Sequence, residues 1–457
     1  MADIIIRDGK VVTHTDIFEA DVAIEGEKIA AIGKGLGKAK EEIDAKGNYV
    51  MPGCIDPHVH LGVFTDYDED MKSETAAAAA GGTTTIMHCL FANTPIVETY
   101  ERCRAPIEKL ATCDVSFYGA LLTNDDLKQI EKLTELGVPS YKLLLAYKGK
   151  AADSIGLKNV NIDNGYMYSA FEILKKTGGM AMIHAENTEV IFAIEPRFKK
   201  DNTLKTWADA RPNIAEELYL YTGCKIAEEV GVPLYQVHSS VGTAPQIVKE
   251  FRERGNKVFL ETCPTYFLLD YYGKNMKVDP KLGKINPPIR SPKDREMVLE
   301  GLKAGQYDTI GTDTCGSFYE KKWADGNIWN IVLDWSDIEY MFPLVLSECV
   351  NKGHLTLPQA VKLLSYNTAK IQGLYPKKGV MAVGSDADIL IVDLKKKKTV
   401  NQKKSHSYFD YTVYDGWEIT GWPVLTMIRG KVVVKDDKMM VEPGYGRYVK
   451  REAPFKK

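Results

Sequence analysis

Short apolar runs recur through the middle of the chain, at 54–60, 83–89, 114–122, 140–146, 180–185, 233–239, 257–263 and 308–313. They read as buried strands bounded by turn residues. Between most of them lie longer stretches of helical periodicity, for example 69–80, 125–136, 244–254 and 292–304. Eight strand–helix alternations over about 320 residues predict a (β/α)8 TIM-like barrel. A doubly wound sheet is the main competitor, but it commonly uses fewer strands. No Gly-x-Gly-x-x-Gly phosphate loop follows the first run here.

The two ends have another texture. Runs at 3–12 and 21–32, and again at 387–392 and 424–434, are alternating or β-branched and are separated by glycine turns such as Arg429-Gly430. The expectation is a catalytic barrel over 52–379. A small β-sandwich-like domain would be assembled from 1–51 and 380–457, the latter including a C-terminal extension. No internal repeat stands out.

Composition narrows the partners. The chain has 457 residues, 44% of them hydrophobic and 26% charged, with a formal net charge of -3. That is enough for a large core, and the balanced charge gives no reason to expect nucleic acid. The lysine run 395–398, with Lys403 and Lys404, reads as a solvated loop. No apolar run approaches the ~18 residues of a membrane span, and the N-terminus reads as a strand rather than a signal peptide. Eight cysteines are scattered without a Cys-x-x-Cys pair. A reduced, cytoplasmic compartment is the default.

The chemistry lies where the strands end. His58 and His60 close the first run, one residue apart, so both imidazoles point to the same side of the backbone. His184 closes the fifth run, His238 the sixth and Asp313 the eighth, and Lys142 lies within the fourth. Active sites of such barrels sit at the C-terminal strand ends. Four imidazoles and a carboxylate would therefore converge on one mouth and could hold a divalent cation. His88 ends the second run and is a candidate for the pocket lining. His14, His354 and His406 fall outside the strands and read as structural or solvated.

This constellation resembles the cyclic amidohydrolases of the amidohydrolase superfamily, and most closely the dihydropyrimidinase and hydantoinase group. The resemblance spans nearly the whole chain. It is carried by Pro52-Gly-Cys-Ile-Asp-Pro-His-Val-His60, Ala79-Ala-Gly-Gly-Thr-Thr-Thr85, Ser140-Tyr-Lys142, His184-Ala-Glu-Asn187 and Glu261-Thr-Cys-Pro264. Later segments join it: Asn286-Pro-Pro-Ile-Arg290, Asn367-Thr-Ala-Lys370, Tyr375-Pro-Lys-Lys-Gly379, Gly384-Ser-Asp-Ala-Asp388 and Gly444-Tyr-Gly-Arg-Tyr-Val-Lys-Arg451.

The resemblance implies two divalent metal ions, one held by His58, His60 and Asp313 and the other by His184 and His238. Lys142 would be N-carboxylated from CO2 or bicarbonate and bridge them. Charge counting agrees, because an ammonium beside two cations is repelled whereas a carbamate is a bridging anion. Mixed N/O ligands suit zinc, with manganese, iron and cobalt as alternatives. By the same resemblance, a metal-bridging hydroxide would attack a ring amide, with Asp313 as the proton carrier and Tyr147 as donor to the oxyanion. Asn286 would hold the ureide edge, and the chain would form a homotetramer or dimer.

Dihydroorotases place an arginine two residues after the second histidine, and here that position is Gly62. Without that cation an anionic substrate loses its anchor. Neutral cyclic ureides, either dihydropyrimidines or 5-substituted hydantoins, are the better expectation, and allantoin is the alternative. Two departures bear on the pocket. Thr314 follows the aspartate where this group has histidine, and 333–339 replaces an Asn-Gly-x-Pro-Gly-x-Glu segment, leaving only Glu339 in register. A catalytically silent scaffold of the same fold is a further alternative, although all six ligand candidates are present.

Overall fold

The computed structural model describes residues 1–153, 156–158, 160 and 162–456. All eight apolar runs are strands: β1 (Cys54–Val59), β2 (Thr83–Leu90), β3 (Asp114–Leu121), β4 (Ser140–Leu144), β5 (Met180–His184), β6 (Leu234–Gln236), β7 (Val258–Thr262) and β8 (Thr309–Ile310). Neighbours in sequence are neighbours in the sheet, and every ladder is parallel. The ring closes beyond β8, where Asp313 N donates to His58 O at 2.9 Å and His60 N donates to Thr314 O at 2.7 Å. The result is a (β/α)8 barrel rather than an open sheet.

Local sequence explains the connecting helices. Asp66 caps the helix Tyr67–Ala80 by accepting from the amides of Asp68 and Glu69, and the buried alanines 77–80 let it lie close on the strands. Ser291 caps Pro292–Lys303, whose first residue is the proline that a helix start tolerates. The helix expected over 125–136 is broken into Asn124–Leu127 and Ile130–Glu135. Asp126 turns back to accept from the amides of Leu122 and Thr123, at 3.0 and 2.9 Å. Among the described residues, no helix is long and apolar enough to cross a membrane.

Strands from both ends of the chain form two further sheets. The seven-stranded one runs Lys438–Met439, Lys431–Lys435, Glu418–Ile428, Ile389–Thr399, Tyr49–Pro52, Lys10–Val12, Ile17–Glu19. The four-stranded one contains Lys28–Gly33, Asp21–Glu25, Ala2–Arg7 and Ala39–Asp44. Val11, Val22, Ile24, Val50, Ile389, Ile391 and Met427 make the core between them. The lysine run 395–398 is not the loop expected but the end of the strand Ile389–Thr399. Its alternate residues Lys396 and Lys398 pair with Asp437, and Lys398 also lies 4.2 Å from the ring centre of Trp422, which satisfies them on one face.

The C-terminal extension crosses the opposite end of the barrel from the site. Val115 N donates to Arg447 O at 2.9 Å and Val449 N to Val115 O at 2.8 Å. The buried Arg451 guanidinium donates to Ser116, Ser140, Gln372 and the Phe117 carbonyl.

Candidate active site

The six side chains singled out by their strand-end positions meet at the C-terminal mouth of the barrel. His58 Nε2 and His60 Nε2 are 3.1 Å apart. Asp313 Oδ1 lies 3.0 Å from the first and 3.2 Å from the second. Their ligand atoms all fall within 4.8 Å of one another, the spacing a single cation can bridge. Lys142 Nζ rises from β4 to 2.7 Å from His58 Nε2 and 3.4 Å from His60 Nε2. The His238 ring stands 4.4 Å from that of His184 and 5.2 Å from that of His58.

Three of these residues do not close their strands as expected; His60 falls one residue past β1, which ends at Val59, and two others lie further out. β6 ends at Gln236 and β8 at Ile310, so His238 and Asp313 lie beyond them with left-handed backbones, φ 38° and 55°. Non-glycine residues rarely occupy that region, and at functional sites the strain serves to aim a side chain.

Behind the ring stand two carboxylates that strand-end position alone does not single out. Glu261, which the period of two on β7 turns inward, accepts from His58 Nδ1 at 2.8 Å, from the His238 amide at 2.9 Å and from the Tyr235 hydroxyl at 2.6 Å. Glu186, two residues after His184, accepts from His184 Nε2 at 2.7 Å. Each contact commits one ring nitrogen to the carboxylate, and at His58 it turns the other toward the cluster, which is how histidine ligands are usually oriented. The signal was present in sequence, because both glutamates sit inside the quoted motifs.

Protonation suits a cation. Burial, followed by the charge of Lys142, pushes the His60 imidazole down to about 3. Burial and then His184 hold His238 well below its ordinary value. Burial alone would raise Asp313, but His58 and His238 and the hydrogen bonds from His58 and His60 hold it well below the usual carboxylate range. The site thus offers neutral imidazoles at His60 and His238 and an ionised carboxylate at Asp313, whereas at His58 burial and the charge of Lys142 are outweighed by Asp313 and Glu261, which raise it. His238 is fully buried, yet neither of its ring nitrogens has a partner. Buried polar atoms are rarely left so, and these residues fit a metal ion.

A cavity opens over the ring, lined by Tyr147 and Asn286 beside His60, Lys142, His184 and Asp313. Val63, Phe64, Phe91, Leu144, Ile285 and Leu333 supply apolar wall. The Tyr147 ring is 5.5 Å from that of His184, and burial, then Asp313 and Glu186, raise its hydroxyl above the ordinary value, so it stays a donor. Asn286 Oδ1 is buried and unpartnered.

Gly62 has φ 71°, and a Cβ there would stand 2.8 Å from that of Tyr67. An arginine is therefore excluded on this backbone as well as absent. The two departures touch each other: Thr314 Oγ1 donates to Asp337 Oδ1 at 3.1 Å, and Cys315 pairs with Trp335 through amide–carbonyl bonds of 2.8 and 2.9 Å. His88 does not line the cavity; its Nδ1 accepts from the Leu61 amide at 3.1 Å and supports the turn after His60. His14 stacks on Tyr366, and His406 donates to Glu339, both structural roles.

A closed barrel with this constellation at its mouth defines the scaffold of a metal-dependent hydrolase. A profile of the amidohydrolase family matches residues 49–433. The chain is 36% identical to a D-hydantoinase of Geobacillus stearothermophilus over 98% of this chain and 96% of that one. It is 30% identical to an L-hydantoinase of Paenarthrobacter aurescens, over 99% and 98%. Among solved structures, a D-hydantoinase superposes with a TM-score of 0.91 at 34% identity, covering 99% of this chain and 100% of that one. The dihydropyrimidinase of Brevibacillus agri gives 0.90 at 31%, covering 98% of each. The chain belongs to the amidohydrolase family, within its hydantoinase group of cyclic amidohydrolases.

Proposed function

We propose that the protein opens the ring of a neutral cyclic ureide, a dihydropyrimidine or a 5-substituted hydantoin, by hydrolysing a ring amide. The observation that carries this reading is the cavity over the ligand ring, in which Lys142 is the one cationic side chain among the described lining residues. A carboxylate-bearing substrate would find no arginine there, whereas a flat uncharged ring matches the apolar wall.

His58, His60 and Asp313 would hold one divalent ion and His184 and His238 a second, with zinc the ion these ligands suit and Lys142, N-carboxylated from bicarbonate, between them. Bound ions would supply polarisation of the amide carbonyl and activation of water at neutral pH. Asp313 would take a proton from the attacking water and return it to the departing ring nitrogen. One C–N bond breaks, one C–O bond forms, and one water is consumed. The Tyr147 phenol would donate to the carbonyl oxygen as negative charge gathers there. Asn286, with its buried, unpartnered oxygen, would receive a ureide N–H.

Exposed Ile214, Leu218 and Tyr221 form a stripe at helical spacing along Asn213–Val230. It supports self-association into a dimer or tetramer. Eight unpaired cysteines support a reducing, cytoplasmic setting.

The test is a panel of dihydrouracil, substituted hydantoins, allantoin and dihydroorotate with metal-replete enzyme. Turnover of the neutral rings is expected, and preference for dihydroorotate would refute the reading. Lys142→Ala should be inactive and partly rescued by short carboxylic acids; full activity in that variant would remove the lysine bridge.

A further inference from the structure

The short helix Tyr319–Trp323 lies behind the cavity, not in it, and carries two consecutive lysines. Lys321 donates to the Phe64 carbonyl, in the loop after β1. Lys322 is wholly buried and points the other way. Its Nζ lies 2.8 Å from each of four oxygens: the carbonyls of Lys284, Val332 and Asp334, and Asp334 Oδ1. An ammonium has three protons to give, so this site is saturated. The second Asp334 oxygen accepts from Ser317.

These contacts select the backbone under the cavity. Lys284 precedes Ile285 and Asn286, and Val332 precedes Leu333; Ile285, Asn286, Leu333 and Asp334 itself all line the cavity, as Phe64 does. Lys284 reciprocates, its own Nζ reaching the Ile331 carbonyl at 2.5 Å and that of Trp329 at 3.3 Å. The Trp207 indole adds a bond to the Ile285 carbonyl at 2.9 Å and packs with Ile328 and Ile331 in a small separate core. The segment that departs from the family pattern is therefore held to the Asn286 loop by Lys322, with Lys284 tying the residues just before that segment. Burying a charge is costly, and here the cost is offset only while all four oxygens stay in place around Nζ, so the ammonium fixes where those two segments can sit.

We propose that Lys322 is a positioning residue for substrate binding: it sets the spacing between the 285–286 and 333–335 walls of the cavity without touching substrate. Lys321 ties the third wall at Phe64 to the same helix. This rests on the hydrolase reading of the cavity, although its first readout does not. The walls it holds carry none of the six ligand candidates. Loosening them should weaken ground-state and transition-state binding alike.

Two variants test it in the full-length, metal-loaded protein. Lys322→Met leaves Asp334 without its cation and could fail to fold, so Lys322→Met with Asp334→Asn is made beside it, removing both charges while keeping the shape of the lining residue and its bond from Ser317. Hydrogen exchange is measured first. Amides of 285–286 and 332–335 should both exchange faster in the double variant, while those of β1 and β5 and the metal content stay unchanged. Kinetics on the best neutral ring of the panel should then show KM raised about tenfold with kcat within about threefold. Unchanged exchange in either wall, or a fall in kcat at constant KM, would overturn the proposal. If the wild type turns over no cyclic ureide, the functional reading fails, while the exchange result still decides whether Lys322 couples the two walls.

Discussion

Glu261 is the residue whose removal should separate the ligand ring from its support. It is fully buried, and its carboxylate receives three donors: His58 Nδ1, the His238 amide and the Tyr235 hydroxyl. Glu261→Ala strands the His58 and His238 donors, while the Tyr235 hydroxyl can turn to Thr309 Oγ1, 2.6 Å away. Each orphaned buried donor costs about 1–3 kcal/mol, so a loss of about 3–5 kcal/mol of stability is expected once partial relaxation is allowed. The larger consequence falls on the metal. With Nδ1 unheld, the His58 ring can rotate or take the other tautomer, and the His238 backbone loses the bond that stabilises its left-handed turn. Removing an outer partner of this kind typically costs 10–100-fold in metal affinity. The assay is bound metal after dialysis against graded chelator, alongside denaturant unfolding of the metal-free protein. Glu261→Gln, which keeps an acceptor oxygen, should fall between wild type and alanine. Wild-type metal retention in Glu261→Ala would refute the claim that this carboxylate orients the ligands.

Tyr147→Phe removes one donor to the developing charge and should lower kcat about 10²–10³-fold with little change in KM; a pure KM effect would reassign the tyrosine to packing. Burial, with the nearby Asp70 and Glu339 charges outweighing bonds from Ser407 and Ser73, raises the Glu74 carboxyl to about 8. The native state then keeps a proton that the unfolded chain has released, so this group's stabilisation is lost as pH rises from about 4.5 to about 8. Glu74→Gln should escape that loss, and its Tm advantage over wild type should widen across this window; parallel curves would contradict the assignment. Arg451→Ala removes a buried guanidinium that donates to three side chains and two carbonyls under the barrel. Its unfolding free energy should fall by about 3–5 kcal/mol, measured in urea, with metal content unaffected at low temperature.

Much of this protein is legible in the chain itself. Apolar runs of strand length alternating with helical periodicity are local properties, and they determined the barrel and the inward direction of each strand. That was enough to bring His58, His60, Lys142, His184, His238 and Asp313 to one mouth, because a closed ring puts all its strand ends in one place. Periodicity says nothing about what happens once a strand stops. The left-handed backbones of His238 and Asp313, which aim those side chains, belong to the loops. So do the pairing of Thr314 with Asp337, which joins two departures 23 residues apart, and the anchoring of 284, 332 and 334 on Lys322. Glu261 looked like one more strand residue until the fold set it 2.8 Å behind an imidazole 203 positions away. Residue type and spacing decided which chemistry is available. Only tertiary packing decided which nitrogen of each histidine faces the cavity and which buried charge holds its walls, since those contacts join segments whose separation in sequence carries no period.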